Sequence, residues 1–239
     1  MITFSEANGV RYLHFGTEWV QGAMRLSHPY RLELEYQRQM MAPLVFAPQP
    51  RAVLQLGLGA AALTKFCHRY LPDSRVTVVE IDPAVILAAR QWFALPPDDA
   101  RLRVARADGR AYLDRHPASA DWLQVDLYDA GAKGPVYDDV PFYAACRGAL
   151  RDGGVAAFNL FGRGLRHSLR ALDEVFSRRW VRLPATAEGN HVVLAFAGDC
   201  SLAAAGRAAA ARSVEARFGL PAPAWIDGLR GPADRGMPY

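Results

Sequence analysis

Two apolar runs that bracket one predicted helix constrain this chain more than any other feature. The run Val53–Leu56 is followed by Gly57 and Gly59, and the run beginning at Val76 ends in Glu80. This layout is typical of a nucleotide-binding βαβ unit, in which glycines let the backbone turn sharply and approach a ligand closely. A carboxylate after the second strand is placed to accept hydrogen bonds from both hydroxyls of a ribose. The chain is therefore predicted to bind a nucleoside.

The third glycine of the dinucleotide fingerprint is absent, because Ala61 or Ala62 stands in its place. Close backbone approach matters most where a pyrophosphate lies on a helix N-terminus. The pattern therefore favours a nucleoside ligand without phosphates, such as an adenosyl sulfonium, over NAD.

From Arg51 onward, predicted strands alternate with predicted helices. Near-continuous apolar strands separated by helices indicate a parallel sheet covered on both faces. We therefore expect an α/β fold, a doubly wound and mostly parallel Rossmann-like sheet. The runs Val181–Leu183 and His191–Phe196 are expected to close it as an antiparallel pair.

The first 50 residues have a different sequence pattern from the alternating strands and helices predicted for the rest of the chain. Val10–Phe15 and Glu18–Met24 are predicted to form a small β-hairpin, and Tyr30–Phe46 a helix. Residues 51–199 would form the nucleoside-binding catalytic domain. Residues 200–239 would form an alanine-rich helix and a peripheral tail.

Composition narrows the possible partners of this 239-residue chain. Its formal net charge is only +4, and its arginines are scattered rather than clustered, which argues against a nucleic-acid partner. No cysteine or histidine pair has metal-ligand spacing, so no metal is expected. Neither a signal peptide nor a membrane-spanning stretch is visible, and we expect a cytoplasmic protein.

Two further strand ends carry carboxylates. Asp108 and Gly109 follow the third strand, where the aspartate could accept a hydrogen bond from an adenine amino group or cap the next helix. Asp126 directly follows an apolar strand, and Asp129 lies three residues on. This pair could bind an ammonium group and remove its proton, or it could be two solvated aspartates.

The ordered motifs together resemble the spermidine synthase (polyamine aminopropyltransferase) family, a branch of the class I S-adenosylmethionine-dependent methyltransferase-like fold. The segment that begins at Gly57 occupies the position of that family's GGGDG loop. Its V-E-I-D, D-G-x-x-F/Y-L, D-S-S/T-D, G-P and F-Y motifs match Val79–Asp82, Ala107–Leu113, Asp126–Asp129, Gly134-Pro135 and Phe142-Tyr143.

The resemblance implies aminopropyl transfer from decarboxylated S-adenosylmethionine to a diamine, with release of methylthioadenosine. Asp126 would be the base, with Asp129 anchoring the ammonium ends of the amine. The amine channel would be lined by Tyr36, Gln37 and Tyr143, and the nucleoside site would comprise Gln21, Gly57, Gly59, Glu80, Asp82, Asp108 and Gly109. The family commonly forms homodimers.

One position departs from the family pattern. The aspartate of GGGDG, which contacts the amine of the aminopropyl group, is Ala60 here. A methyltransferase that uses intact S-adenosylmethionine is therefore an alternative, because Ala60 removes a carboxylate that would repel the methionine carboxylate. A catalytically inactive nucleoside-binding relative is a further alternative.

Overall fold

A computed structural model, which describes residues 2–128, 135–162, 164–199 and 204–233, contains two β-sheets flanked by helices. The strands are β1 (Thr3–Ala7), β2 (Val10–His14), β3 (Gly22–Arg25), β4 (Ala52–Leu56), β5 (Arg75–Glu80), β6 (Leu102–Arg106), β7 (Ala120–Val125), β8 (Leu150–Leu160), β9 (Trp180–Arg182) and β10 (His191–Phe196). The helices are α1 (Glu35–Gln39), α2 (Pro43–Phe46), α3 (Ala62–Tyr70), α4 (Pro83–Trp92), α5 (Gly109–Asp114), α6 (Val140–Ala149), α7 (Leu165–Val175), α8 (Ala204–Phe218) and α9 (Ala222–Asp227).

The larger sheet has the strand order β6-β5-β4-β7-β8-β10-β9. Its first five strands in this order are parallel, while β10 runs antiparallel to both β8 and β9. The predicted doubly wound, mostly parallel fold and its closing antiparallel pair are therefore confirmed. The chain winds outward from β4 to β6 and then returns to place β7 on the other side of β4. Ligands of such sheets bind at this switch point, beyond the carboxyl ends of the strands.

The N-terminal sheet has three strands in the order β1-β2-β3, one more than predicted. Every residue of β1 is exposed, so the strand has no alternation of buried and exposed positions. Its turn nevertheless has a sequence signal, since Asn8 and Gly9 both have positive φ and Ala7 pairs with Val10. Asn-Gly is the preferred two-residue turn of a β-hairpin.

The loop between β2 and β3 is longer than the predicted Gly16-Thr17 turn. Leu13 pairs with Gly22, and His14 ends β2, which leaves residues 15–21 as the loop between the two strands. Only the end of the predicted strand Glu18–Met24 is therefore extended and paired. The residues of this loop turn toward the switch point of the larger sheet.

The predicted helix Tyr30–Phe46 is wrong as a single element. The structure has two short helices there, α1 and α2, separated by residues 40–42. Pro43 starts α2, and a proline inside a longer helix would remove a hydrogen bond and clash with the carbonyl four residues earlier.

The C-terminal segment is not peripheral where the structure describes it. Ala211 and Val214 of α8, with Leu220 and Trp225 beyond it, are buried in the same cluster as residues of β4 and β5. These side chains cover one face of the sheet. No helix of the described ranges is long and apolar enough to cross a bilayer.

Candidate active site

A cavity of about 450 Å³ opens at the carboxyl ends of β4, β5, β7 and β8. The loop between β2 and β3 forms part of its wall, together with the start of α1 and the turn between β9 and β10. Elements from the N-terminal sheet, the parallel strands and the antiparallel pair therefore meet at one site.

The loop after β4 requires glycine at its first position. Gly57 has φ +92°, and a Cβ there would lie 2.2 Å from the carbonyl oxygen of Asp126. Gly59 also has a positive φ, +47°, and faces the backbone of Gln21. The glycines thus allow three segments of backbone to approach one another beside the cavity.

Glu80 lies at the end of β5 and binds the glycine loop. Its Oε2 accepts a hydrogen bond from the Leu58 amide at 3.0 Å, and its Oε1 accepts one from the Asp82 amide at 2.9 Å. Burial raises the pKa of Glu80, while the backbone amides oppose that rise. The carboxylate is thus held in place at the cavity wall, where it can also accept ribose hydroxyls.

Asp108 both caps a helix and lines the cavity. Its Oδ1 accepts the Ala111 amide of α5 at 2.8 Å, and its Oδ2 accepts the Tyr137 hydroxyl at 2.5 Å. Burial acts to raise the pKa of Asp108, but these hydrogen bonds outweigh it and the pKa lies below the ordinary value. The carboxylate therefore stays ionised beside Gly109 and Tyr137.

Asp126 follows β7 and is enclosed by polar partners. Its Oδ1 accepts a hydrogen bond from Asn159 Nδ2 at 2.9 Å, and the Tyr36 hydroxyl also hydrogen-bonds to this carboxylate. Burial raises the pKa of Asp126, and the two hydrogen bonds partly offset that effect. A buried carboxylate with a raised pKa is a better proton acceptor than a solvated one.

Asn159 was not among the residues predicted from the sequence. Its Oδ1 accepts a hydrogen bond from Asn190 Nδ2 at 3.0 Å, and its backbone oxygen accepts the Tyr128 hydroxyl at 2.7 Å. Asn159 is the penultimate residue of the apolar strand β8, and Asp126 follows β7, so the same strand-end rule could have identified it. Asn190 precedes β10, whose antiparallel direction brings its start to this edge.

The charged side chains that the described residues contribute to the cavity wall are all acidic. Among the described residues, carboxylates line it at five positions, namely Glu18, Glu80, Asp108, Asp126 and Glu188. No lysine, arginine or histidine is found among the described residues of its wall. The arrangement is suited to a ligand with more than one positive charge.

The structure brings most of the predicted site residues to this cavity. Those that line it are Gln21, Tyr36, Gly57, Gly59, Glu80, Asp108, Gly109 and Asp126. Gln21 Nε2 is buried and has no hydrogen-bond partner among the described residues. Asp129 falls outside the described residues.

Three predicted residues lie elsewhere. Asp82 caps α4 by accepting the Ala84 amide at 2.8 Å, and its side chain does not line the cavity. Gln37 is buried, and its Oε1 accepts the Leu34 amide at the start of α1. Tyr143 is buried behind the wall, where its hydroxyl donates to Asp138.

Ala60 is also turned away from the cavity. It is 3% exposed and packs with Leu13, Met24 and Phe93 between the N-terminal sheet and the larger one. A Cβ added to Gly22 would lie 2.6 Å from the Ala60 Cβ, so the two backbones are in close contact. Position 60 therefore lies at a close contact between β3 and the loop after β4.

No group of three or more histidine, cysteine or acidic side chains is placed to hold a metal ion within the described ranges. The described cysteines, Cys67 and Cys146, are buried and free. Burial raises the pKa of the Cys67 thiol to about 12.

Comparison with known proteins identifies related sequences across most of the chain. Residues 33–159 match the model of the spermine/spermidine synthase domain. The polyamine aminopropyltransferase of Neisseria meningitidis serogroup A is 35% identical over 198 residues, which are 82% of this chain and 75% of that protein. The polyamine aminopropyltransferase of Chromobacterium violaceum is 34% identical over 222 residues, 92% of this chain and 85% of that protein.

Solved structures with a similar fold cover most of this chain. A probable spermidine synthase from Corynebacterium glutamicum superposes with a TM-score of 0.74 at 22% identity, over 99% of this chain and 95% of that one. Human methyltransferase-like protein 13, in complex with SAH, superposes with a TM-score of 0.69 at 26% identity, over 85% of this chain and 97% of that one. The methyltransferase-like character of the fold, predicted from the motifs, is confirmed.

Proposed function

The chain belongs to the spermine/spermidine synthase family and is a transferase of the polyamine aminopropyltransferase type, and we propose that it moves an aminopropyl group from decarboxylated S-adenosylmethionine to a diamine. The observation that carries this proposal is the charge of the cavity. Among the described residues, five carboxylates line its wall, and no lysine, arginine or histidine does. Both substrates are cationic at neutral pH, and neither carries a carboxylate that would need a basic partner.

The nucleoside part of the donor is assigned to the β5 and β6 side of the cavity. Glu80 would accept the ribose hydroxyls, and Asp108 would accept the adenine amino group beside Gly109. Human methyltransferase-like protein 13 is described with bound SAH, which supports an S-adenosylmethionine-related ligand on this fold. Gln21 lines the cavity, and its buried side-chain amide nitrogen has no partner among the described residues, so it is a further ligand-contacting residue in this proposal.

Asp126 is assigned as the general base. An acceptor nitrogen loses a proton to Asp126 and attacks the aminopropyl carbon that is bonded to sulfur. A C–N bond forms while the C–S bond breaks, and the electron pair of that bond neutralises the sulfonium to give methylthioadenosine. Tyr36 and Asn159 hold the carboxylate through hydrogen bonds, so the protein positions the base as well as the two reactants.

The same cavity disfavours the methyltransferase alternative. Intact S-adenosylmethionine carries a carboxylate, which would enter a wall of like charge without an arginine or lysine among its described residues. We expect methylthioadenosine to bind more tightly than S-adenosylhomocysteine, as measured by calorimetric titration. The reverse order would favour a methyltransferase.

Replacement of Asp126 by asparagine tests the proposed reaction. The wild-type protein should release methylthioadenosine from the donor when putrescine or spermidine is added. Because a positioned base contributes about 100- to 10,000-fold, Asp126→Asn should lower kcat by that factor. Asp114→Asn, on the exposed end of α5, is the matched control and should keep full activity. If neither protein releases methylthioadenosine with any amine, although the donor binds, the proposal is refuted.

Other expectations from the sequence stay predictions. They are a homodimer, a cytoplasmic location, a metal-independent reaction, the absence of a nucleic-acid partner, and a domain division near residues 50 and 199. Asp129, Gln37 and Tyr143 stay predicted contributors to the amine site, although Gln37 and Tyr143 would act from behind the cavity wall.

A further inference from the structure

Glu188 is a carboxylate in the cavity wall that the proposed reaction leaves without a role. It lies on the turn between β9 and β10 and is exposed. In the described part of the chain, no hydrogen bond or ion pair reaches its side chain. Its charge is therefore available to a ligand.

The turn that carries Glu188 is built around Thr186 and Asn190. The Thr186 amide donates to the Asn190 carbonyl at 3.0 Å, and the Asn190 amide donates to Thr186 Oγ1 at 3.1 Å. The Ala187 amide donates to Glu35 Oε2 at 3.2 Å, which ties the turn to α1. Glu188 is thus presented by an ordered turn of few residues.

The same turn is connected to the base. Asn190 donates to Asn159 at 3.0 Å, and Asn159 donates to Asp126 at 2.9 Å. Asn190, two residues after Glu188, therefore links this turn to Asp126 through Asn159. The cavity wall also contains Leu34 and Phe161, apolar side chains suited to methylene groups.

We propose that Glu188 binds the ammonium group at the far end of the acceptor amine and so selects a diamine over a monoamine. This assignment rests on the proposed function. One carboxylate takes the proton of the attacking nitrogen, and the other holds the distal charge. Position 60 supplies no carboxylate to either amine, because it is alanine and its side chain packs against Gly22.

The experiment pairs a change in the ligand with a change in the protein. Binding of 1,4-diaminobutane and of butylamine is measured by calorimetry on protein saturated with methylthioadenosine. Butylamine has the same carbon chain but lacks the distal ammonium. Because ion pairs near solvent are modest in strength, Glu188→Gln should lower the diamine-to-monoamine affinity ratio about three- to tenfold.

Glu18→Gln is the matched control, since it also removes one carboxylate from the cavity wall. It reports the general effect of negative charge, which is screened by salt, and should change the ratio by less than about twofold. Glu215→Gln, on the exposed surface of α8, should leave both affinities unchanged. An equal change of the ratio in Glu188→Gln and Glu18→Gln, or no change in Glu188→Gln, would overturn the assignment.

The two proposals fail separately. If the wild-type protein transfers no aminopropyl group but shows the expected ratios, the reaction is refuted and Glu188 stands only as the residue that binds the distal ammonium of a diamine. If transfer occurs without the expected ratios, the role of Glu188 is refuted and the reaction stands.

Discussion

Removal of the Asn159 side chain should raise the pKa of the proposed base. Asn159 Nδ2 donates a hydrogen bond of 2.9 Å to Asp126 Oδ1, and this bond favours the ionised carboxylate. Asn159 is only 4% exposed, so little water is available to replace it. The substitution Asn159→Ala therefore removes stabilisation from one protonation state of Asp126.

The size of the effect follows from the type of hydrogen bond. A bond to a charged group contributes about 1.5–3 kcal/mol, and one pKa unit corresponds to about 1.4 kcal/mol. The pKa of Asp126, already raised by burial, should thus rise by about 1 to 2 further units in Asn159→Ala. Since the base must be ionised, the acid limb of the activity profile should move to higher pH by the same amount.

The assay is kcat/KM for methylthioadenosine release as a function of pH, with the same amine for both proteins. The acceptor amine titrates identically in both experiments, so the difference between the two profiles belongs to the enzyme. Asn190→Ala is the control, because it leaves the bond between Asn159 and Asp126 in place and should move the limb less. An acid limb that is unchanged in Asn159→Ala, or moves to lower pH, would refute the assignment of Asp126 as the base held by Asn159.

Two predictions concern stability. Lys65 is buried in α3 and donates from Nζ to the Phe93 carbonyl at 2.7 Å, and burial lowers its pKa from 10.5 to about 7. The unfolded chain therefore binds this proton more tightly between those values, and the free energy of unfolding should rise with pH by roughly 1.4 kcal/mol per unit from this group. Lys65→Met should remove that contribution in urea titrations from pH 7 to 9.5, and equal slopes for both proteins would contradict it. Ala118 is exposed with φ +46°, a left-handed conformation that costs alanine about 1–2 kcal/mol. Ala118→Gly should raise the free energy of unfolding by about 0.5–1 kcal/mol, after the larger backbone entropy of glycine in the unfolded chain is included. Ala209→Gly in α8 is the control and should lower the free energy of unfolding by about 1 kcal/mol. A loss of stability in Ala118→Gly would count against the strain argument.

The parallel sheet was predictable because its central strands, β4 and β7, are buried on both faces and mostly apolar. Each run is short, ends in glycine or a polar residue, and is followed by a helix with one apolar face. The bounds of β10, His191–Phe196, agree with the prediction from the sequence. At the ends of these strands the side chains that line the cavity were predictable too, because parallel strands bring their carboxyl ends to one edge.

Elements outside the parallel sheet were harder to predict for physical reasons. Strand β1 is exposed along its whole length, so burial leaves no pattern in its sequence. The C-terminal helix α8 is rich in alanine and its apolar face is weak, yet Ala211 and Val214 are buried against the rest of the chain. Its position depends on tertiary packing that no local pattern encodes.

The same distinction applies within the cavity. Glu18 lies in the loop between β2 and β3, and Glu188 lies in the turn between β9 and β10. Whether such residues face a ligand depends on how the N-terminal sheet and the antiparallel pair pack against the switch point. Sequence motifs located the nucleoside side of the site, whereas the fold was needed to find the carboxylates opposite it.

Ala60 shows why a motif position cannot be interpreted from its residue type alone. In the sequence, alanine in place of the family's aspartate means one negative charge fewer beside the donor, which favours an intact S-adenosylmethionine. In the structure, the Ala60 side chain packs against Gly22 and the N-terminal sheet, where a carboxylate would be buried among Leu13 and Phe93 without a described partner. The part of the cavity wall that the structure describes nevertheless has five carboxylates. The exchange of aspartate for alanine therefore favours packing between the two sheets, while the recognition of cationic ligands is retained by residues from other loops.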